Sequence, residues 1–236
     1  MDKASFISAC VAGFSITSSF GMVNPPFIET FDTNDSGWLD GDSGTPDYFS
    51  SDGVGDSGYI SFSPASFTTG TTGPGGFGDP LAILMRGNAG SASGDAFVGD
   101  WITEGVTEIS VNVRHNFGSD LNFYARLNRG FGQAASTANN AVYSIAPNTW
   151  TKITLPIEDS NPPFLSYGGG TFGSVFSDLN DLQFGLYLPA STAFDSLKFD
   201  IDNVSVVPEP SSYALLSGLI VGVGVLLRRR GRQIRS

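Results

Sequence analysis

The stretch that decides the fold is residues 107–127, TEISVNVRHNFGSDLNFYARL. In its first half, one face of an extended chain carries three apolar residues and the sole histidine: Ile109, Val111, Val113 and His115. The second half repeats this period of two, with apolar residues at positions 121, 123, 125 and 127. Strict alternation predicts two strands with one buried face each, because successive side chains point to opposite sides of a strand. The four residues 117–120 between them suit a hairpin.

Other short apolar runs are separated by Gly, Ser, Asn and Asp, and the chain holds 30 glycines. These runs predict further strands at 27–31, 58–62, 81–86, 150–155, 182–188 and 196–206. No segment before the C-terminal region has the period of a helix. The sequence therefore predicts one all-β domain over residues 24–207, an antiparallel β-sandwich.

The last predicted strand contains a break in its alternation. Leu197, Phe199 and Ile201 are apolar at odd positions, whereas Val204 and Val206 are apolar at even ones. The switch falls at Asp202-Asn203, and one extra residue in a strand produces such a switch. We therefore expect a β-bulge at this position.

Three short segments resemble the jelly-roll sandwiches of carbohydrate-binding modules and laminin-B-like domains. They are residues 29–38, with Glu29-Thr30-Phe31-Asp32 and Gly37-Trp38; residues 150–155; and residues 199–204. The resemblance implies a jelly-roll-like fold and a structural calcium ion where the first and last strands meet, with Glu29 and Asp202 as ligands. Calcium prefers such oxygen ligands. The alternative is that Asp202 and Asn203 satisfy backbone groups at the bulge.

The C-terminal segment 208–236 carries three features in a row. The motif Val207-Pro208-Glu209-Pro210 leads into it, and its prolines favour an extended backbone. The uncharged residues 211–227 follow, and as a helix they span about 25 Å, close to the ~30 Å of a bilayer core. The basic tail 228–236 opens with the expected membrane stop, which consists of Arg228, Arg229 and Arg230. The basic residues of this tail predict a cytoplasmic C-terminus.

This order of features resembles the PEP-CTERM sorting signal of bacterial exported proteins. The resemblance implies that an exosortase, a membrane-embedded cysteine protease, recognises Val207–Pro210 and cuts nearby. The transmembrane helix 211–227 then holds the protein in the inner membrane only transiently, and the mature form reaches the cell surface or the extracellular matrix. The alternative is a stable membrane anchor with a proline hinge.

An exported domain needs the export machinery, so residues 1–23 are expected to be an export signal, although Asp2 offsets Lys3 and serines interrupt the apolar residues. The single cysteine, Cys10, lies in this segment and excludes an intrachain disulfide.

Between Pro25 and Val207 there are 21 acidic and 6 basic residues, a balance of −15. This charge disfavours nucleic acid as a partner.

The tyrosines and tryptophans supply candidate rings for stacking on sugars: Trp38, Tyr48, Trp101, Tyr124, Trp150 and Tyr187. Tyr124 and Tyr187 take the polar phase of their strands, beside Arg126 and Gln183, which makes them candidate ligand-binding residues for extracellular polysaccharide. The alternative for both rings is core or cross-strand packing.

Catalytic motifs of the serine-hydrolase and zinc-protease kinds do not occur in the sequence, and His115 shares the apolar phase of its strand. We therefore expect a binding or structural protein and not an enzyme. A glycoside hydrolase or lyase on the same scaffold is the alternative, because carboxylates are abundant and their separations cannot be read from the sequence.

Overall fold

The computed structural model describes residues 25–40, 44–63, 82–88, 92–130, 132–137, 143–160, 163–188 and 196–208. Within these ranges the regular elements are, in chain order, β1 (Phe27–Glu29), β2 (Asp47–Phe49), β3 (Tyr59–Phe62), β4 (Ala82–Asn88), a 3-10 turn (Ser93–Asp95), β5 (Val106–His115), β6 (Leu121–Gly130), β7 (Gln133–Thr137), β8 (Ser144–Ile145), β9 (Thr151–Pro156), β10 (Phe164–Tyr167), α1 (Phe172–Phe176), β11 (Asp181–Leu188) and β12 (Phe199–Pro208).

The strands form two antiparallel sheets of six strands each. Sheet I has the order β2-β3-β12-β5-β9, and β1 also pairs with β12. Sheet II has the order β10-β7-β6-β11-β4, and β8 pairs with β6. The prediction of an all-β sandwich is confirmed.

The core lies between the two sheets and is built from the alternating apolar positions of both. Ile109, Val111 and Val113 of β5 are buried there together with Phe123 of β6 and Phe184 of β11. The rings of Phe123 and Phe184 lie 5.6 Å apart. Such aromatic packing buries large apolar surfaces, which is the main source of sandwich stability in a chain without a disulfide.

The expected hairpin between β5 and β6 is wrong. Strand β5 pairs with β9 and β12 in sheet I, whereas β6 pairs with β7, β8 and β11 in sheet II. The connection therefore carries the chain from one sheet to the other. Each strand has one apolar face. Because the two strands lie in different sheets, these faces pack against each other and both are buried.

The bulge predicted in the last strand is confirmed. The register of β12 against β5 shifts between Asp202 and Ser205, and Asn203 adopts a φ of 48°. Asparagine tolerates this left-handed conformation better than most residues. Asp202 is fully buried, because loop 50–58 covers it.

In the part of the chain that the structure describes, no helix is long and apolar enough to cross a membrane. The expected export signal 1–23 and the expected transmembrane helix 211–227 both lie outside the described residues.

Candidate functional site

A cleft with a volume of about 280 Å³ opens on the face of sheet I that points away from the core. Asp200 of β12 pairs with Ser61 of β3 and with Arg114 of β5, so these three side chains share one face of the sheet. Their neighbours Ile201 and Val113 point into the core. The alternation that buries the apolar face of each strand therefore also assembles the polar floor of the cleft.

Arg114 lies at the centre of this floor. Its Nε donates to Oδ2 of Asp200 at 2.8 Å, and its Nη1 lies 3.2 Å from Oδ2 of Asp52. The guanidinium carbon also lies 4.9 Å from the ring centre of Tyr59 and 4.5 Å from that of Trp150. A planar guanidinium stacks on aromatic faces and binds carboxylates at its edges, so both kinds of contact fix its orientation.

Phe49 extends the aromatic surface to the edge of sheet I. Its ring stacks on Tyr59 with centres 4.9 Å apart and planes 9° apart, and 41% of the residue is exposed. Tyr59 in turn meets Trp150 edge to face at 5.6 Å. The site thus combines an accessible ring with a rigid support of two further rings.

Loop 50–58 joins Phe49 to Tyr59, both of which line the cleft. The carbonyl oxygen of Asp52 accepts a hydrogen bond from Nε1 of Trp150 at 3.2 Å. Oδ2 of Asp202 accepts from the Val54 N–H and the Ser57 hydroxyl, both at 2.8 Å. A buried carboxylate with several donors holds a loop firmly, so Asp202 positions the loop that carries Asp52.

Gly58 lets loop 50–58 lie close to the backbone of Phe31, just after β1. A Cβ atom at this position would lie 2.0 Å from the carbonyl oxygen of Phe31, and real Cβ contacts are never that short. The close approach of the two backbones therefore requires glycine.

Asn116 and Lys198 also line the cleft. Oδ1 of Asn116 accepts from the Lys198 N–H at 2.7 Å, and its Nδ2 donates to the carbonyl of Ser196 at 2.9 Å. The Lys198 ammonium lies 3.2 Å from Oδ2 of Asp47. Both cations of the cleft thus face carboxylates.

His115 lies under the cleft and is 1% exposed. Its Nδ1 accepts from the Phe117 N–H at 3.2 Å, so its Nε2 carries the proton and donates to the Ile145 carbonyl at 2.9 Å. Burial lowers the pKa of this imidazole, which keeps the ring neutral. The expectation that His115 is a packed residue is confirmed.

The carboxylates of the cleft are engaged in structural contacts. Burial raises the pKa of the Asp200 carboxyl, against the opposing effects of hydrogen bonds from Ser61 and Arg114. Asp200 and Asp52 share the same guanidinium. The arrangement suits a preformed binding surface of rings, amides and paired charges.

The expected calcium ligands lie in different environments. Glu29 accepts hydrogen bonds from the Ser93 hydroxyl at 2.8 Å and from a backbone N–H at 3.0 Å, whereas Asp202 accepts from loop 50–58. Each of the two carboxylates is therefore hydrogen-bonded to its own set of donors. In the described ranges, no group of three or more His, Cys, Asp or Glu side chains could hold a metal. Calcium binding stays a prediction, and an unchanged melting temperature with chelator would remove it.

Tyr124 and Tyr187 are not the exposed rings that their phase predicts. They lie on the outer side of sheet II, but they are only 1% and 3% exposed. The two rings meet edge to face at 5.4 Å, and the Tyr187 hydroxyl donates to the Thr137 carbonyl at 3.0 Å. The alternative of cross-strand packing describes them correctly.

The sorting motif begins inside the sandwich. Val207 and Pro208 belong to β12, where they pair with Glu108 and Val106 of β5. Glu209, Pro210 and the basic residues Arg228, Arg229 and Arg230 lie outside the described residues.

The sequence predicts only a small part of the cleft. Trp150 is among the candidate rings, and Arg114 lies on the polar face of β5. No sequence pattern singles out Phe49, Tyr59 and Asp52. Their contacts depend on the path of loop 50–58 and on the pairing of β3 with β12.

Neither a protein-family model nor a curated protein matches this chain. Among solved structures, one similar fold is in the CBM22-1–GH10 modules of Clostridium thermocellum endo-1,4-β-D-xylanase 10B, complexed with xylohexaose, at 13% identity and a TM-score of 0.43, covering 77% of this chain and 28% of that chain. Another is the family 11 carbohydrate-binding module of the cellulase Lic26A-Cel5E of Clostridium thermocellum, at 16% identity and a TM-score of 0.41, covering 79% and 97%. A third is an exo-β-agarase, at 10% identity and a TM-score of 0.43, covering 78% and 24%.

This chain therefore spans less than a third of the length of the xylanase and agarase structures. At these identities and TM-scores, the neighbours assign the chain to no family and carry no residue roles over to it.

Proposed function

We propose that the sandwich is a binding module for neutral polysaccharide and that the cleft on sheet I is its binding site. The observation that carries the proposal is the accessible ring of Phe49 on its support of Tyr59, beside the hydrogen-bonding groups of Arg114 and Asn148. Sugar rings present an apolar face and a rim of hydroxyls, which match an aromatic face and a set of polar groups respectively.

The charges of the cleft favour a neutral glycan over an acidic one. Arg114 is paired with Asp200 and Asp52, and Lys198 is paired with Asp47. Two cations thus face three carboxylates, and the surrounding domain has a large excess of acidic residues. A uronate polymer would meet a repulsive field at low salt and find each cation already neutralised.

Affinity electrophoresis tests the proposal with native gels that contain a β-glucan, a xylan, a galactan or the uronate polymer alginate. We expect at least one neutral polymer to retard the protein, and alginate not to. Phe49→Ala should weaken the binding about tenfold, which corresponds to about 1.4 kcal/mol. Ile102→Ala, at a residue 48% exposed outside the cleft, is the matched control and should bind as wild type. Equal retardation of both variants, or no retardation by any polymer, would refute the proposal.

We further propose that the chain is exported and that its C-terminal segment is an exosortase sorting signal. The order of motif, uncharged segment and basic tail in 207–236 supports this. The geometry of sheet I is compatible with display: Phe27 pairs with Val206, so the sandwich begins and ends at the same end of the sheet. The cleft lies at the other end of β5, about 26 Å away over the eight residues from Val106 to Arg114 at roughly 3.3 Å each.

The mass of the mature protein tests the sorting proposal. Protein purified from the surface or medium of the producing cells should lack the basic tail 228–236. A mature chain that still ends at Ser236 would instead indicate a stable anchor.

A further inference from the structure

The end of the last strand is held on both sides. Val206 pairs with Ile109 of β5 and, on the other side, with Phe27 of β1. It is 0% exposed. Val207 pairs with Glu108, and its carbonyl oxygen lies 3.4 Å from the hydroxyl of Thr107. The backbone up to Val207 is therefore committed to the sheet.

Pro208 ends this pairing. It is buried and lies opposite Val106, after a shift in the register between Val207 and Pro208. Proline has no N–H and cannot donate to a ladder, so it is tolerated where a strand stops. The first two residues of the sorting motif are thus part of the folded domain.

A protease that binds its substrate as an extended strand needs the backbone groups of that substrate unpaired. Residues 205–208 can meet this requirement only if β12 separates from β5, and residues 204–206 only if it separates from β1. Such separation exposes Val204 and Val206, which are both fully buried. Opening of a central strand is among the rarest local motions of a domain.

We infer that the sorting protease cuts this chain only on the C-terminal side of Pro208, so that β12 stays whole in the mature protein. The inference rests on the proposed sorting function. Hydrolysis of the bond consumes one water, leaves a carboxylate on the sandwich and gives the released segment a new amino terminus. Because Val207 and Pro208 are themselves paired with β5, the folded sandwich places every bond that the protease can reach on the C-terminal side of Pro208.

The test begins with the C-terminal peptide of the mature protein, identified by mass spectrometry. A C-terminus at Pro208 or at a later residue short of Ser236 supports the inference. A C-terminus at Val207 or earlier overturns it. An intact Ser236 overturns the sorting proposal itself, and limited proteolysis then decides separately whether the strand resists cleavage.

Limited proteolysis uses the full chain in detergent with a protease of broad specificity. We expect no cut within residues 204–208 while the sandwich is folded. Val206→Ala removes two buried methyl groups and should raise the rate of cleavage there about tenfold. Ser205→Ala, at the adjacent half-buried residue, is the control and should leave the rate unchanged. Rapid wild-type cleavage within 204–208, or equal rates in all three proteins, would overturn the inference.

Discussion

The two outer faces of the sandwich both carry aromatic rings at positions of polar phase, yet they use them differently. On sheet I, Phe49 lies open on the supporting ring of Tyr59. On sheet II, Tyr124 and Tyr187 are buried against each other. The phase of a residue in a strand predicts which side of its sheet it takes, but the exposure depends on what covers that side.

The largest expected effect tests the packing role of Tyr124. Tyr124→Ala removes a buried ring and should lower the free energy of unfolding by about 3 kcal/mol. The folded fraction should bind polysaccharide within twofold of wild type, because the cleft lies on the other sheet. Urea unfolding followed by tryptophan fluorescence measures the stability, and affinity electrophoresis measures the binding. A loss of binding at unchanged stability would identify Tyr124 as a ligand platform after all.

Asp202 gives the next effect, because it couples the stability of sheet I to the shape of the cleft. Asp202→Ala leaves the Val54 N–H and the Ser57 hydroxyl without their acceptor and should destabilise the fold by about 2 kcal/mol. Release of the loop should also weaken polysaccharide binding several-fold, because the loop carries Asp52, which contacts Arg114.

Ser51→Ala is the matched control for Asp202→Ala, since Ser51 lies exposed in the same loop. Its unfolding free energy should stay within about 0.5 kcal/mol of wild type. Equal effects of the two substitutions would show that Asp202 does not position the loop.

Arg114→Lys tests how much the guanidinium on the outer face of sheet I contributes to ligand binding. Lysine keeps the charge but loses the contacts of the planar guanidinium with Tyr59 and with Trp150. We expect about fivefold weaker binding of the neutral polymer, or about 1 kcal/mol. Arg129→Lys on sheet II, where the arginine pairs with Asp178 near the surface, should bind as wild type. Titration calorimetry on the polymer identified by electrophoresis measures both.

The sequence predicted the parts of the fold that depend on local alternation. The strands around Val111 and Phe123 and the bulge at Asp202-Asn203 follow from the period of two and from its break. The sequence could not predict that residues 117–120 cross between the sheets, because a short connection allows a hairpin and a crossover alike. It also could not predict the cleft, since Tyr59 meets Trp150 only through contacts between residues far apart in the chain, and such contacts leave no local pattern.

The smallest expected effect concerns His115, which links the base of the cleft to β8. Its pKa in the folded protein lies below the usual 6.5, because burial disfavours the charged ring. The stabilisation by the neutral ring is therefore fully present above pH 6.5 and is lost as the pH falls through that value towards the lower folded pKa. Protonated Nδ1 would face the N–H of Phe117, whose hydrogen bond it now accepts.

We expect the wild-type protein to lose unfolding free energy between pH 7.5 and 5.5, by at most about 1.4 kcal/mol per pH unit for this one proton. His115→Gln should show a flatter profile over the same range. Burial also raises the pKa values of Asp200 and Asp202, and their stabilisation runs in the opposite direction, increasing as the pH falls towards 4. The difference between the two proteins therefore isolates the histidine, and parallel profiles of the two proteins would show that the loss has another origin.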